Sequence, residues 1–312
     1  MSGYYSLSGR DFSCPFNYLT NAHPLGHSVI SQSVHGEVGK VVKLNATLDF
    51  KSRLNAGENV FGTLLGPGND PEKTVPALKD MGFDFLMLDL EHTLIGKEAV
   101  YAYVPVAHEI GMPLLMRPEE SMAHFRCYLD SGVNGLMAPH LDTIEEAVYA
   151  VNQSFFPPIG HRGAGMSKHI LDYQSPADIP YMKLIEYVND NTIVFSMTES
   201  LQNISNLAQI LNLEGIIGTI VGTNDLAWDI GDIDPNAMKP EIIKTPAVEE
   251  SLKRIARICR EKGKAAGIGA LQPKDMPRWA DEGYHLFMIG RVNDGEIDNP
   301  KPFIEEARSL LT

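Results

Sequence analysis

The sequence has few cysteines, no long apolar run and too little positive charge, and each shortage argues against a class of protein. Its three cysteines, Cys14, Cys127 and Cys259, stand far apart and form no CxxC pair. That spacing speaks against a thiolate zinc site or a disulfide framework and fits a reducing compartment. No apolar run approaches the roughly 20 residues needed to span a bilayer. The opening residues Met1-Ser2-Gly3-Tyr4-Tyr5 lack the basic start and apolar core of a secretory signal, and Arg10-Asp11 does not suit a transit peptide. The expected location is the cytoplasm. Lys and Arg total 26 against 40 Asp and Glu, a formal charge of −14. Such a field repels phosphate backbones and anionic lipid, so neither nucleic acid nor membrane is expected as a partner. No GxGxxG follows an apolar run, which weakens a doubly wound dinucleotide-binding sheet.

The chain does hold an ordinary globular balance, 44% hydrophobic and 21% charged. Its 312 residues would make about two domains on a prior of roughly 150 residues each, but an α/β barrel runs to roughly 250 residues as one domain. Residues 1–44 are rich in Ser, Gly, His and Asn without a sustained period, and are expected to form an irregular N-terminal arm. From residue 45 to 312 short apolar runs alternate with amphipathic stretches. The runs are Val60–Leu65, Phe83–Leu88, Pro113–Met116, Gly135–Ala138, Thr192–Met197, Gly215–Val221, Ala265–Gly269 and Leu286–Ile289. Each has the length of a strand buried on both faces. Helical patterns separate them, several ending at Gly82, Gly111, Gly132, Gly263 or Gly283, where a left-handed residue is needed. Asp142-x-x-Glu145 suggests a capping box. Eight strands alternating with eight helices predict a (β/α)8 TIM barrel.

In such a barrel chemistry sits at the C-terminal ends of the strands. Four of the eight strands deliver ionisable residues there: Asp89-Leu90-Glu91-His92, Arg117-Pro118, Thr198-Glu199, and Gly222-Thr223-Asn224-Asp225. Glu199 and Asp225 follow adjacent strands, about 4.8 Å apart, and could share one cation. Hard oxygen donors without cysteine point to Mg²⁺ or Mn²⁺. The alternative is a pair of helix N-caps. Arg117 closes an apolar strand, where an unpaired charge would be costly. Its planar fork suits a substrate carboxylate or an enolate oxygen, or else an ion pair with Glu91 or Glu119. His92 lies three residues after Asp89, so the carboxylate could fix its tautomer and make it a general base. The bland alternative is a structural histidine. The long segment from Phe155 to Ile193 is expected to be functional. Within it Arg162 could bind an anion or clamp the loop, and Tyr173, Tyr181 and Tyr187 are further pocket or interface candidates.

Phe61-Gly62-Thr63, Leu88-Asp89-Leu90-Glu91-His92, Met116-Arg117-Pro118, Phe156-Pro157-Pro158-x-Gly160-x-Arg162-Gly163, Thr198-Glu199 and Gly222-Thr223-Asn224-Asp225-Leu226 occur in this order at strand ends. Together they resemble the HpcH/HpaI aldolase family, the metal-dependent class II pyruvate aldolases, over about residues 46–311. The resemblance implies that Glu199 and Asp225 bind a divalent metal, Mg²⁺ first, with Mn²⁺ or Co²⁺ as alternatives. It implies that the metal chelates a 2-oxo acid, and that Arg117 stabilises its enolate. By the same resemblance His92, held by Asp89, does acid–base work, and backbone N–H groups near Gly222, Thr223 and Asn224 hold the carboxylate. The implied activity is carbon–carbon cleavage of 2-oxo acids, either aldol cleavage or decarboxylation of oxaloacetate.

The sequence departs from the family pattern at Met197, where the aldolases often have Gln, and at Thr223 and Asn224. Trp228 is bulky near the same rim, and the arm is longer than in bacterial aldolases. These changes leave the metal–enolate set intact but open the second substrate, an aldehyde or a pyrone. Macrophomate synthase, also in the family, decarboxylates oxaloacetate and joins the enolate to a 2-pyrone, and such a role is the first alternative. A non-catalytic metabolite-binding barrel is the second. The resemblance also implies a homo-oligomer, commonly a hexamer with exchanged C-terminal helices.

Overall fold

The computed structural model describes residues 46–119, 124–165, 180–231, 245–292 and 299–311. The expected arm and Tyr173 lie outside them. All eight apolar runs become strands: β1 (Val60–Leu65), β2 (Phe85–Asp89), β3 (Leu114–Arg117), β4 (Gly135–Ala138), β5 (Ile193–Thr198), β6 (Ile216–Val221), β7 (Ala265–Gly269) and β8 (Leu286–Val292). Each pairs in parallel with the next, and β8 returns to β1, so the barrel closes in sequence order. The expected (β/α)8 barrel is present.

The helices of the described residues are α1 (Ala46–Asn55), α2 (Pro71–Met81), α3 (Val100–Ile110), α4 (Phe125–Asp130), α5 (Ile144–Ser154), α6 (Tyr181–Asp190), α7 (Leu201–Ile210), α8 (Thr223–Ile230), α9 (Pro246–Lys262), α10 (Met276–Glu282) and α11 (Lys301–Leu310). The capping box lies one residue later than expected. Thr143 caps α5 by accepting the Glu146 N–H, and Glu146 accepts the Thr143 N–H in return. Asp142 is committed elsewhere, to the Ser200 hydroxyl. Two helices have no counterpart in the sequence pattern. One is α6, inside the segment expected to be a functional loop; it forms because Leu184, Ile185 and Val188 bury against Phe156. The other is α8, eight residues directly after β6.

Strand alternation sorts the core into two shells. Phe85 and Met87, Leu115, Met137, and Ile193, Phe195 and Met197 point inward and pack as one cluster. The opposite set, including Leu86, Leu88, Leu114, Leu136 and Val194, packs under the helices. The interior has room for the Phe85 ring only because Gly62 faces it: a β-carbon there would lie 2.2 Å from the ring. α1 plugs the N-terminal end. Phe50 and Leu54 bury into the inward cluster, with the Phe50 ring 5.1 Å from that of Phe85. Each such burial is worth about 1.5–3 kcal/mol. One end of the barrel is therefore closed, and the other is left for polar side chains.

Candidate active site

On three strands the inward series continues past the apolar layers into charge. On β2 it runs Phe85, Met87, Asp89; on β3, Leu115, Arg117; from β5, Ile193, Phe195, Met197, Glu199. Period-two alternation thus carries these three charged residues to the mouth. β8 does so by a different device. Gly62 pairs with Met288 but Leu64 pairs with Arg291, a bulge that inserts one extra residue. Gly290 supplies the positive φ within it, and the Thr63 hydroxyl donates to the Gly290 carbonyl. Unbulged, β8 would place residue 290 opposite Leu64. The extra residue instead brings Arg291 round to the mouth.

Asp89 is the hub. Its Oδ1 accepts Arg117 Nε at 2.9 Å and its Oδ2 accepts Arg117 Nη2 at 2.6 Å. Arg291 Nη2 donates to the same Oδ2 at 2.7 Å. Burial alone would raise the Asp89 pKa, but the hydrogen bonds and charge of Arg117, with the charge of Arg291, hold it below its ordinary value. The expected grip of Asp89 on the His92 imidazole is not what forms. Asp89 Oδ1 accepts the backbone N–H groups of Glu91 and His92 at 3.2 and 3.4 Å, while both carboxylate oxygens are spent on arginine. The His92 side chain is half-exposed, and its Nε2 lies 3.7 Å from Glu91 Oε2.

The second group centres on a residue that the sequence reasoning missed. His140 follows β4 at φ 52°, the left-handed region, where His is among the better-tolerated side chains. Its Nδ1 lies 3.0 Å from Glu199 Oε1, and its Nε2 lies 3.4 Å from Glu91 Oε1. Its backbone N–H also donates to Glu199 Oε1 at 2.9 Å. Glu91, His140 and Glu199 offer donor atoms that all lie within 4.8 Å of one another. The available signal was position: Pro139-His140 directly follows β4.

Glu199 is buried, and desolvation pushes its carboxyl up to about 7. His140 opposes this rise, while the charges of Glu91 and Asp225 add to it. Glu91 Oε2 is buried and forms no hydrogen bond, although Arg117 Nε lies 3.1 Å away as an ion-pair partner. Converging carboxylates, one raised chiefly by burial and one with an oxygen lacking a hydrogen bond, fit a divalent cation. Asp225 is not at matched depth with Glu199. It stands exposed in the first turn of α8, close enough to act on Glu199 electrostatically. Gly222 lets the chain pass beside the site: a β-carbon there would lie 2.5 Å from Met197 Cε and 3.1 Å from Glu199 Oε2. Met197 and Thr223 are buried; Asn224 and Trp228 are exposed on α8.

Arg162 does not join this group. Its Nη2 pairs with Asp130 at 2.6 Å, its Nη1 donates to the Ser154 carbonyl at 3.3 Å, and it stacks on Phe156. It clamps the loop after α5. Tyr181 donates to the Ala164 carbonyl on the same loop.

A closed parallel barrel with an arginine and a cation-ready carboxylate group at its C-terminal mouth is the architecture of barrel enzymes that stabilise negative charge on small substrates. The profile of the HpcH/HpaI aldolase/citrate lyase family matches residues 66–293. The chain belongs to that family, which places it among carbon–carbon lyases. It is 31% identical over 245 residues to the hydroxypyruvate/pyruvate aldolase of Roseovarius nubinhibens, covering 78% of this chain and 90% of that protein. The solved HpcH/HpaI aldolase of Desulfitobacterium hafniense aligns with a TM-score of 0.69 at 25% identity, covering 78% of this chain and 90% of the other. Macrophomate synthase aligns with a TM-score of 0.62 at 21% identity over 85% of this chain and 88% of its own, a likeness of fold. Among the described residues no helix is long and apolar enough to cross a membrane.

Proposed function

We propose that the chain is a divalent-metal-dependent pyruvate aldolase, cleaving 4-hydroxy-2-oxo acids into pyruvate and an aldehyde. The observation that carries this reading is the meeting, at one barrel mouth, of an arginine clamped by Asp89 with the Glu91–His140–Glu199 group. The aldolase from Roseovarius nubinhibens supports pyruvate as the half held in common.

Aldol cleavage breaks the C3–C4 bond. The bonding pair stays on C3 as the pyruvate enolate, and the C4 hydroxyl loses its proton as the aldehyde forms. Glu199 and Asp225 would hold the cation, and their oxygens suit Mg²⁺ as well as Mn²⁺ or Co²⁺. When bound, the cation supplies Lewis-acid stabilisation of the developing enolate charge. Arg117 shares that charge. Its Nε and Nη2 are fixed by Asp89, so Nη1, which meets no acceptor among the described residues, is held ready for the substrate's keto oxygen. His92 takes the hydroxyl proton and returns a proton to C3, with Glu91 as its acidic neighbour. The N–H groups of Thr223 and Asn224, at the start of α8, hold the substrate carboxylate, and Gly222, whose own N–H goes to the Thr198 carbonyl, leaves the room beside them. Met197 forms the wall beneath, and Trp228 would meet the second substrate.

Decarboxylation of oxaloacetate reaches the same enolate by loss of CO₂ and belongs to the same proposal. We infer a homo-oligomer as well, hexameric by resemblance. The free thiols of Cys127 and Cys259 fit a reducing compartment such as the cytoplasm. The test is turnover of oxaloacetate and of a 4-hydroxy-2-oxo acid, with and without EDTA, in the native chain and in Glu199→Ala. Chelation and the substitution should each lower turnover about 100-fold or more, with added divalent cation reversing only the first. Turnover indifferent to both would overturn the reading.

A further inference from the structure

We propose that His140 is itself a ligand of the cation, binding through Nδ1 beside Glu199, with Glu91 as the carboxylate that orients the imidazole. This rests on the reading that Glu199 holds a divalent metal.

The distances favour ligation. Two donors on adjacent corners of an octahedral ion, each about 2.1 Å from it, lie about 3 Å apart. His140 Nδ1 and Glu199 Oε1 are separated by 3.0 Å. The far side of the ring is also provided for. Nε2 faces Glu91 Oε1 at 3.4 Å, and a carboxylate behind a ligating imidazole fixes its tautomer and raises its basicity. Glu91 is held in turn by Arg117 Nε at 3.1 Å. The cation site and the arginine that meets the substrate are thus joined through two side chains, His140 and Glu91.

The backbone supports the same role. His140 occupies a positive φ of 52°, and its own N–H is bonded to Glu199. Both the main chain and the side chain of one residue therefore converge on one carboxylate. The imidazole is half-exposed, so it is not retained as packing.

The chemical consequence is metal selectivity. An all-oxygen site suits Mg²⁺, whereas an imidazole nitrogen favours a transition ion such as Mn²⁺ or Co²⁺. The chain should accordingly prefer Mn²⁺ to Mg²⁺ by more than an oxygen-only site would.

The experiment loads the full chain with Mn²⁺ and reads ¹⁴N coupling by electron spin echo envelope modulation, with binding constants for Mn²⁺ and Mg²⁺ measured alongside. His140→Gly keeps the positive φ and the N–H to Glu199 while removing the imidazole; His140→Asn is a second variant that also tolerates this φ. In the native chain Mn²⁺ should show a directly coordinated imidazole nitrogen. His140→Gly should lose that signal, bind Mn²⁺ about 10-fold or more weaker, and change little towards Mg²⁺. Added imidazole should restore the coupling. Mn²⁺ bound to the native chain without nitrogen coupling, and equally to both His140 variants, overturns the inference but leaves the Glu199 site standing. Mn²⁺ binding unchanged in Glu199→Ala, or absent from the native chain, overturns the underlying reading and this inference with it.

Discussion

One five-residue strand, β2, is preceded by one aspartate and ended by another, and each of the two pairs with two arginines. At the floor, Asp84 precedes β2 and pairs with Arg53 at 2.9 Å and Arg308 at 2.7 Å, and accepts the Phe61 N–H at 2.8 Å. At the mouth, Asp89 ends β2 and pairs with Arg117 and Arg291. The difference lies in what surrounds each cluster. Arg53 also pairs with Glu58, so the floor has two arginines for two carboxylates. The mouth also has two arginines, Arg117 and Arg291, but four carboxylates, Asp89, Glu91, Glu199 and Asp225, plus the half-exposed imidazoles of His92 and His140. A balanced cluster beside a plugged barrel end locks elements together. An unbalanced one at the open end is built to receive positive charge and then to hold an anion against it.

The sharpest way to break this comparison is to neutralise each aspartate in turn. Asp89→Asn should lower kcat about 100-fold or more, because Arg117 loses the fork that fixes its free nitrogen. It should also change the acid stability of the chain. The folded pKa of Asp89 is depressed, so its contribution is complete above the ordinary carboxylate pKa and is lost as pH falls through the folded value. In the Asp89→Asn variant that part of the acid limb should flatten, as read by thermal melts from about pH 6 to pH 3.

Asp84→Asn should do the reverse. It leaves two arginines short of a partner at the base of α1 and α11, and should cost about 2–3 kcal/mol in denaturant unfolding. The kcat of the folded protein should stay within about twofold, since the floor touches no reacting group. A large kcat loss in Asp84→Asn, with Asp89→Asn near native, would mean the two ends have been assigned the wrong way round.

The sequence reveals the two ends unequally. Barrel strands are legible because each is a short apolar run between helix stops, and period-two alternation within β2, β3 and β5 leads directly to Asp89, Arg117 and Glu199. The floor plug is legible only as a short helix, since nothing local says that Phe50 and Leu54 of α1 turn into the barrel. Arg291 is hidden because a bulge at Gly290 shifts its phase, and a bulge depends on the neighbouring strand. His140 stands alone at a strand end, and its meaning comes from two carboxylates brought there by other strands. Asp89 and His92 are misleading for the opposite reason: their spacing invites a local pair, yet a buried carboxylate does better with two guanidiniums than with one half-exposed ring. Arg162 takes the second of the two roles its loop position offers: buried beside Asp130, it is a clamp.

An arginine–carboxylate fork outside both clusters sharpens the comparison from the weak side. Arg278 donates to both oxygens of Glu249 at 2.9 and 2.8 Å, a geometry as good as that of Arg117 on Asp89. It joins α10 to α9 on the outside of the barrel, and the Arg278 side chain is half-exposed. Water and salt screen such a pair, and ordering two long side chains offsets much of the remaining attraction. A double-mutant cycle on Arg278→Ala and Glu249→Ala should therefore give a coupling of no more than about 1 kcal/mol, falling further at about 1 M salt. A coupling as large as the floor effect, unmoved by salt, would show that fork geometry sets the strength of these pairs in this barrel. A small, screened value would assign the difference between this fork and that of Arg117 on Asp89 to burial and to the surrounding charges.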